Sequence, residues 1–377
     1  MCLGVLLAGW ALASCPPAAP APIEDPRLLL RITGPLGADR VYTCADLARL
    51  THLGGSGDPA FGIRSLEGLQ HAVNLEALAL PRNHIQDLSP LKGLPRLSSL
   101  DLTENDVSDL APLAALPGLT ALDLRGNQVA DLAPLAGLAR LERLELRDNA
   151  VASLEPLRGL TALSWLSLYE NRVTDVAPLA GLTALRVLDL RNNDVVGFAA
   201  LAGLTGLEEL HLGVERYVGE ENFTPVMRQP PPGDTYRFAV PMLSADLAWL
   251  AELTGLTHLS VSSLYVGDAA FLEALTGLEN LSLRNAGVTP SALARAAKLR
   301  ELRYLDVSNN WLTELGALLA GPLRLAGLWA AWNCLELRVD AEGRVLDAFV
   351  GAVEPGGLLL VAPQRPAEQC QAAPGRP

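Results

Sequence analysis

The chain has 377 residues, of which 50% are hydrophobic, 5% aromatic and 19% charged, and its formal net charge is −13. A disordered chain would be poorer in Leu and richer in charge, so a folded protein is expected. The acidic balance, with a pI of about 4.9, argues against a nucleic-acid binder, which carries a basic patch. Five cysteines without a C-x-x-C spacing suggest neither a disulfide scaffold nor a structural zinc site.

In chain order, residues 1–14 are apolar and uncharged. They are too short to span a bilayer as a mature helix and read as the core of a signal peptide. The stretch Leu12-Ala13-Ser14-Cys15 resembles the lipobox of bacterial lipoproteins. That resemblance implies cleavage before Cys15, lipid on its sulfur and export to the bacterial cell envelope, with the outer membrane as the expected address. Residues 15–25 begin with a Pro/Ala run that is expected to stay extended as a tether. Residues 26–70 are expected to form an N-terminal cap and a half-repeat. Within them Thr43-Cys44-Ala45-Asp46 has the pattern of a helix start, and Ile63, Leu66 and Leu69 mark the half-repeat. Cys44 has no obvious partner in the sequence and reads as a small buried apolar residue.

From residue 71 to 335 a 22-residue period dominates. Its first clear unit is Leu75, Leu78, Leu80, Asn83, Ile85, Asp87, Leu88, Pro90, Leu91 and Leu94. The Asn returns at Asn105, Asn127, Asn149, Asn171 and Asn193, and the Pro at Pro112, Pro134, Pro156 and Pro178. Alternation along Leu-x-x-Leu-x-Leu turns two leucines inward on a short strand. The Asn is placed to bond backbone groups left over by the following turn. The Asp-Leu-x-Pro segment starts a short helical turn, capped by the Asp and tolerant of Pro. Each unit buries its Leu face only against its neighbours. This pattern resembles the internalin class of bacterial leucine-rich repeats. The fold class it implies is α/β: a right-handed leucine-rich-repeat solenoid with a curved parallel sheet on its concave face and short helical turns on its convex face. Periodicity lapses at about 213–246, where Phe238 and Val240 are expected to supply one distorted strand, and it resumes at Asp246–Leu250. Eleven regular units are recognisable. Residues 336–377 read as a C-terminal cap and tail, with a helix at 345–353 and a closing strand at 358–361. In an exported protein Cys334 and Cys370 are expected to be bonded across this cap.

The strand positions that point away from the leucines form three columns. An acidic column (Asp101, Asp123, Glu145, Asp189) runs beside an Arg column (Arg125, Arg147, Arg191). Such columns either neutralise each other or await a ligand. Trp165 and Tyr169 are expected to stand exposed on one strand of this face. Aromatics ringed by Arg are the usual composition of a protein-binding hot spot. The candidate partner-binding set is therefore Arg125, Arg143, Glu145, Arg147, Trp165, Tyr169, Asp189, Arg191, Glu209 and His211. A second aromatic group, Tyr304, Trp329 and Trp332, is expected to pack against the cap.

No catalytic or phosphate-binding constellation stands out, the five His are scattered, and no cofactor or metal is expected. The sequence thus reads as a monomeric, non-enzymatic envelope protein that binds a protein partner on its concave face. A surface polysaccharide as ligand, or a passive spacer role, are the alternatives.

Overall fold

The computed structural model describes residues 16–37, 41–54, 62–213, 244–320, 322–331, 333–337, 352–361, 364 and 370. The signal peptide, Cys15, Phe238, Val240 and Trp332 lie outside the described residues. The fold divides into two compact units, Met1–Val151 and Ala152–Pro377.

The first unit opens with two helices. Helix α1 (Pro26–Leu36) is capped by Asp25 and buries Leu28 and Ile32. Helix α2 (Cys44–Leu47) begins with a capping box, in which Thr43 and Asp46 each accept the other's backbone N–H. The Pro/Ala run does not hang free as expected. Pro20 bridges antiparallel to Thr43, and the Ala21 N–H donates to the Tyr42 carbonyl at 2.7 Å. A proline-rich segment is already extended, so docking it beside another extended segment costs little further ordering. Asp25 then ties the cap to the half-repeat: one carboxylate oxygen accepts the N–H groups of Arg27 and Leu28, the other those of Arg64 and Ser65.

Strand β1 (His52–Gly54) follows, a rung hidden within the segment expected to be only a helical cap. It pairs in parallel with β2 (Ala77–Ala79). Strands β3 (Ser99–Asp101), β4 (Ala121–Asp123) and β5 (Arg143–Glu145) continue the ladder, each displaced by one repeat. The central residues Leu78, Leu100, Leu122 and Leu144 are at most 1% exposed. The connecting turns are 3-10 helices at Ser89–Gly93, Ala111–Ala115 and Ala133–Leu135. Before each, an Asp (Asp87, Asp109, Asp131) accepts the backbone N–H two residues on, each at 2.8 Å.

The second unit repeats this plan through β6 (Trp165–Ser167), β7 (Val187–Asp189), β8 (Glu209–Gly213), β9 (His258–Ser262) and β10 (Asn280–Ser282). It ends with helix α3 (Pro290–Ala296), β11 (Tyr304–Asp306), β12 (Leu325–Trp329) and β13 (Val353–Leu360). All pair in parallel in chain order. Each of the eleven regular units supplies one strand, β2 to β12. Glu209 pairs with His258, so β8 meets β9 directly and no rung from the intervening insertion stands between them. On the turn side, too, the repeat closes over the gap. Trp249 takes the place of the usual Pro and stacks on Phe198, 6.4 Å between ring centroids. The closing strand starts earlier than expected, since Val353 belongs to it and not to a helix. Cys334 and Cys370 are bonded, with Cα atoms 5.6 Å apart.

The Asn positions do the bonding that the repeat predicts. Asn105 accepts the Ile85 N–H at 3.0 Å and donates to the carbonyls of Leu80 and Leu102. Asn127 makes the same set one repeat later, to Val107, Leu102 and Leu124. In the second unit Asn310 accepts from Ala286 and Val288 and donates to Leu283 and Val307. One amide side chain thus satisfies backbone groups of two successive coils.

One cysteine differs from expectation. Cys44 is buried, but it is disulfide-bonded. Cys334 and Cys370 hold each other, so the partner of Cys44 lies outside the described residues.

Candidate interaction face

The strand registers align the three outward columns within each unit. In the first unit Ala121 pairs with Arg143 and Asp123 with Glu145. In the second, Trp165 pairs with Val187 and Val187 in turn with Glu209, while Ser167 pairs with Asp189 and Asp189 with His211. The side chains on these columns do more local work than the sequence suggested. Each middle-column Asp accepts the backbone N–H two residues on: Asp101 from Thr103, Asp123 from Arg125, Asp189 from Arg191 and Asp306 from Ser308. These carboxylates finish the strand ends, where the ladder leaves an N–H unpaired.

The same carboxylates hold the Arg side chains. Arg125 grips Asp123 through Nε and Nη2, at 2.9 and 2.6 Å. Arg191 grips Asp189 the same way, at 3.0 and 2.6 Å. Arg143 reaches Glu145 at 2.6 Å. Hydrogen bonding to Asp123 raises the Arg125 guanidinium above its ordinary pKa against the opposing effect of burial, with help from the charges of Glu145 and Asp101. Charge compensation therefore runs along each strand, between residues two apart, rather than waiting for a ligand.

Exposure separates the candidates. Arg125, Arg143 and Arg147 are exposed on the first unit, above a Glu145 that is only 5% exposed. On the second unit Trp165 and Arg191 are half-buried, and so are Glu209 and His211, with His211 Nε2 3.9 Å from the Glu209 carboxylate. Tyr169 is not the exposed anchor expected. It is 8% exposed, with the Arg191 guanidinium 5.1 Å from its ring centre. A stacked cation covers an aromatic face as well as attracting it. Asp189 is buried beneath the same arginine. Among the described residues no cluster of three or more His, Cys, Asp or Glu could hold a metal ion.

Of the three aromatics expected to pack against the C-terminal cap, Tyr304 is 41% exposed and lies beside Trp329, 6.1 Å between ring centroids. The signal in the sequence was Gly327, a glycine on the outward column between the two.

A leucine-rich-repeat family model matches residues 73–129. The solved internalin InlF of Listeria monocytogenes is 25% identical, with 82% of this chain and 96% of that chain covered at a TM-score of 0.55. The chain belongs to the leucine-rich-repeat family. Internalin C2 of the same species is 34% identical over 52% of this chain and 87% of that one, with a TM-score of 0.48. A more distant leucine-rich-repeat structure is the ectodomain of the Arabidopsis thaliana receptor kinase GASSHO1/SCHENGEN3, solved in complex with Casparian strip integrity factor 2. It is 21% identical, covers 79% of this chain and 34% of that chain, and has a TM-score of 0.52, a likeness of fold alone. Among curated proteins none matches the chain. Among the described residues, no helix of this leucine-rich-repeat protein is long and apolar enough to cross a membrane.

Proposed function

We propose that this leucine-rich-repeat protein is an exported, monomeric, non-enzymatic recognition module that binds a protein partner on the sheet face opposite its leucines. The observation that carries the proposal is the set of exposed arginines on the first unit. Arg125 and Arg143 are each pre-aimed by a carboxylate of their own strand, at 2.6 Å. A side chain already held in place loses little freedom when a partner arrives. Arg also offers forked donors to a partner's carboxylates. The second unit carries a set of its own, Trp165 and Arg191 with Glu209 and His211 beside them, in which Tyr169 and Asp189 position Arg191.

Pull-down with crosslinking from native membranes tests this. An Arg143→Ala, Arg147→Ala double variant and a Trp165→Ala, Tyr169→Ala double variant should each lose the partner recovered by the wild type. One observation favours the spacer reading instead: the acid–Arg pairs close on themselves along each strand. Recovery of the same proteins by wild type and both variants would support that reading.

The Leu12–Cys15 stretch supports lipid anchorage to the bacterial envelope through Cys15. A sulfur that carries lipid cannot also join a disulfide, so the bonded state of Cys44 bears on this proposal. Mass spectrometry of the mature N-terminus should find diacylglyceryl-Cys15. A Cys15–Cys44 disulfide would exclude the lipid, and an intact Met1 would exclude export.

A further inference from the structure

The sheet ends differently at its two edges. In the first unit helix α1 packs against β1, whose inward Leu53 is buried. In the second unit β13 is the last strand, and among the described residues no strand pairs with its outer edge. The regular part of its ladder is short: Leu358, Leu359 and Leu360 lie opposite Gly327, Leu328 and Trp329. The Leu360 carbonyl accepts the Ala330 N–H at 2.8 Å, so Leu360 turns its main chain toward β12. Backbone groups alternate along a strand, which turns those of Leu359 to the open side. The Leu359 side chain points inward, yet it is only half-buried, whereas Leu305 and Leu328, at the same position of the two preceding strands, are fully buried. Next to it Leu358 is 56% exposed and Leu360 40%, and they continue an outward apolar surface begun by Tyr304 and Trp329.

Sequence and position disagree at this rung. Three consecutive leucines are the composition of a strand covered on both faces. Sheet edges are ordinarily protected by charge or proline. Glu354 and Pro355 do this for the start of β13, but residues 356–361 read Gly-Gly-Leu-Leu-Leu-Val. The open rung therefore has the side chains of an interior strand and the main chain of an edge. An extended segment answers both. Its main chain bonds the Leu359 N–H and carbonyl, one side chain covers Leu359 from inside, and its two neighbours lie beside Leu358 and Leu360. A charged side chain at any of these three positions would be set against leucine. A second folded copy is a poorer occupant. A rung of three residues, about 10 Å long, offers far less than the roughly 1,200 Å² that a stable pair of folded proteins buries.

We propose that Leu358–Leu360 of β13 form a docking edge for an extended, uncharged apolar segment of a partner protein, which adds a rung to the sheet. Binding here does not depend on the arginine-bearing face. The probe is a dye-labelled peptide Gly-Leu-Val-Leu-Val-Leu-Gly with a polyethylene glycol tail, titrated with the full chain and followed by fluorescence anisotropy. Anisotropy should rise to saturation, and amide exchange of Leu359 should be fast in the free protein and slow with peptide bound. The same peptide N-methylated at every backbone nitrogen keeps its side chains but cannot pair, and it should bind about tenfold more weakly or worse. Leu358→Lys and Leu360→Lys place a charge on the edge at exposed positions, and each should weaken binding about tenfold or more. Leu30→Lys, at a comparably exposed leucine of α1, should leave it unchanged. Circular dichroism establishes that each variant is folded, and the methylated peptide answers on the wild type alone. The proposal is overturned if the peptide does not bind, or if the methylated peptide or the folded β13 variants bind as tightly. It is equally overturned if Leu359 exchange is already slow in the free chain, or if the free chain sediments as a dimer that Leu358→Lys separates.

Discussion

Asn310 is 1% exposed, and its amide satisfies two backbone donors and two main-chain carbonyls at once. Truncation strands several buried groups that water cannot reach. Asn310→Ala should therefore cost about 3 kcal/mol or more in urea unfolding, well above a typical surface substitution. Asp25 tells a related story with charge. Burial pushes its carboxyl up, but the N–H groups of Arg64, Arg27, Ser65 and Leu28 outweigh that and hold it below the ordinary carboxylate range. A depressed carboxyl stabilises the folded state above its unfolded value of about 4, and that contribution disappears as pH falls through the folded value. The N-terminal cap should thus loosen below about pH 4, and Asp25→Asn should flatten this part of a pH–stability curve. The Asn role was legible because one residue type returned at a fixed interval. That of Asp25 was not, since two of its partners, Arg64 and Ser65, lie some forty residues away along the chain.

The elements show how far periodicity carries. Every regular unit gave its strand where the Leu spacing placed it, because alternation and a following turn suffice to specify a short rung. Strand β1 was missed. It is three residues long with a single buried Leu53, and it forms only because β2 offers an edge to pair with. At the other end, the Cys334–Cys370 bond closes a separation of 36 residues around the last strand. Opening it should cost about 4 kcal/mol in the chain-entropy model. Thermal unfolding of Cys334→Ser without reductant should show the loss, and reductant should lower the wild type further because it also opens the Cys44 bond. The short 3-10 turns were foreseen as helical turns. Their tightness follows from Pro at the start and a few residues of length, too little for an α-helix to repay nucleation.

For the molecule as a whole, the consequence of stacking is local stability. Each coil touches only the coils before and after it, so damage should spread a short distance and stop. In Asn310→Ala, amide exchange should accelerate in β10 to β12 and stay at the wild-type rate in β2 to β4. Uniform acceleration along the chain would show instead that the stack unfolds as one cooperative body. The same logic lets the insertion between β8 and β9 be carried without breaking the ladder, since only the two flanking rungs must meet.

By itself the sequence determined the repeat, its strand register, the inward leucines, the Asn bonding and the cysteine pair at the C-terminal cap. These depend on spacing, and spacing is a property of the chain. Only the tertiary structure decided that Tyr169 lies beneath Arg191, that Asp123, Glu145 and Asp189 each bind an arginine of their own strand, that the Pro/Ala run docks, and that Trp329 and Tyr304 share the space over a glycine. Those outcomes depend on which way a side chain turns once its neighbours are in place. A column of letters shows which side chains share a face, but packing decides which are covered and which remain open to a partner.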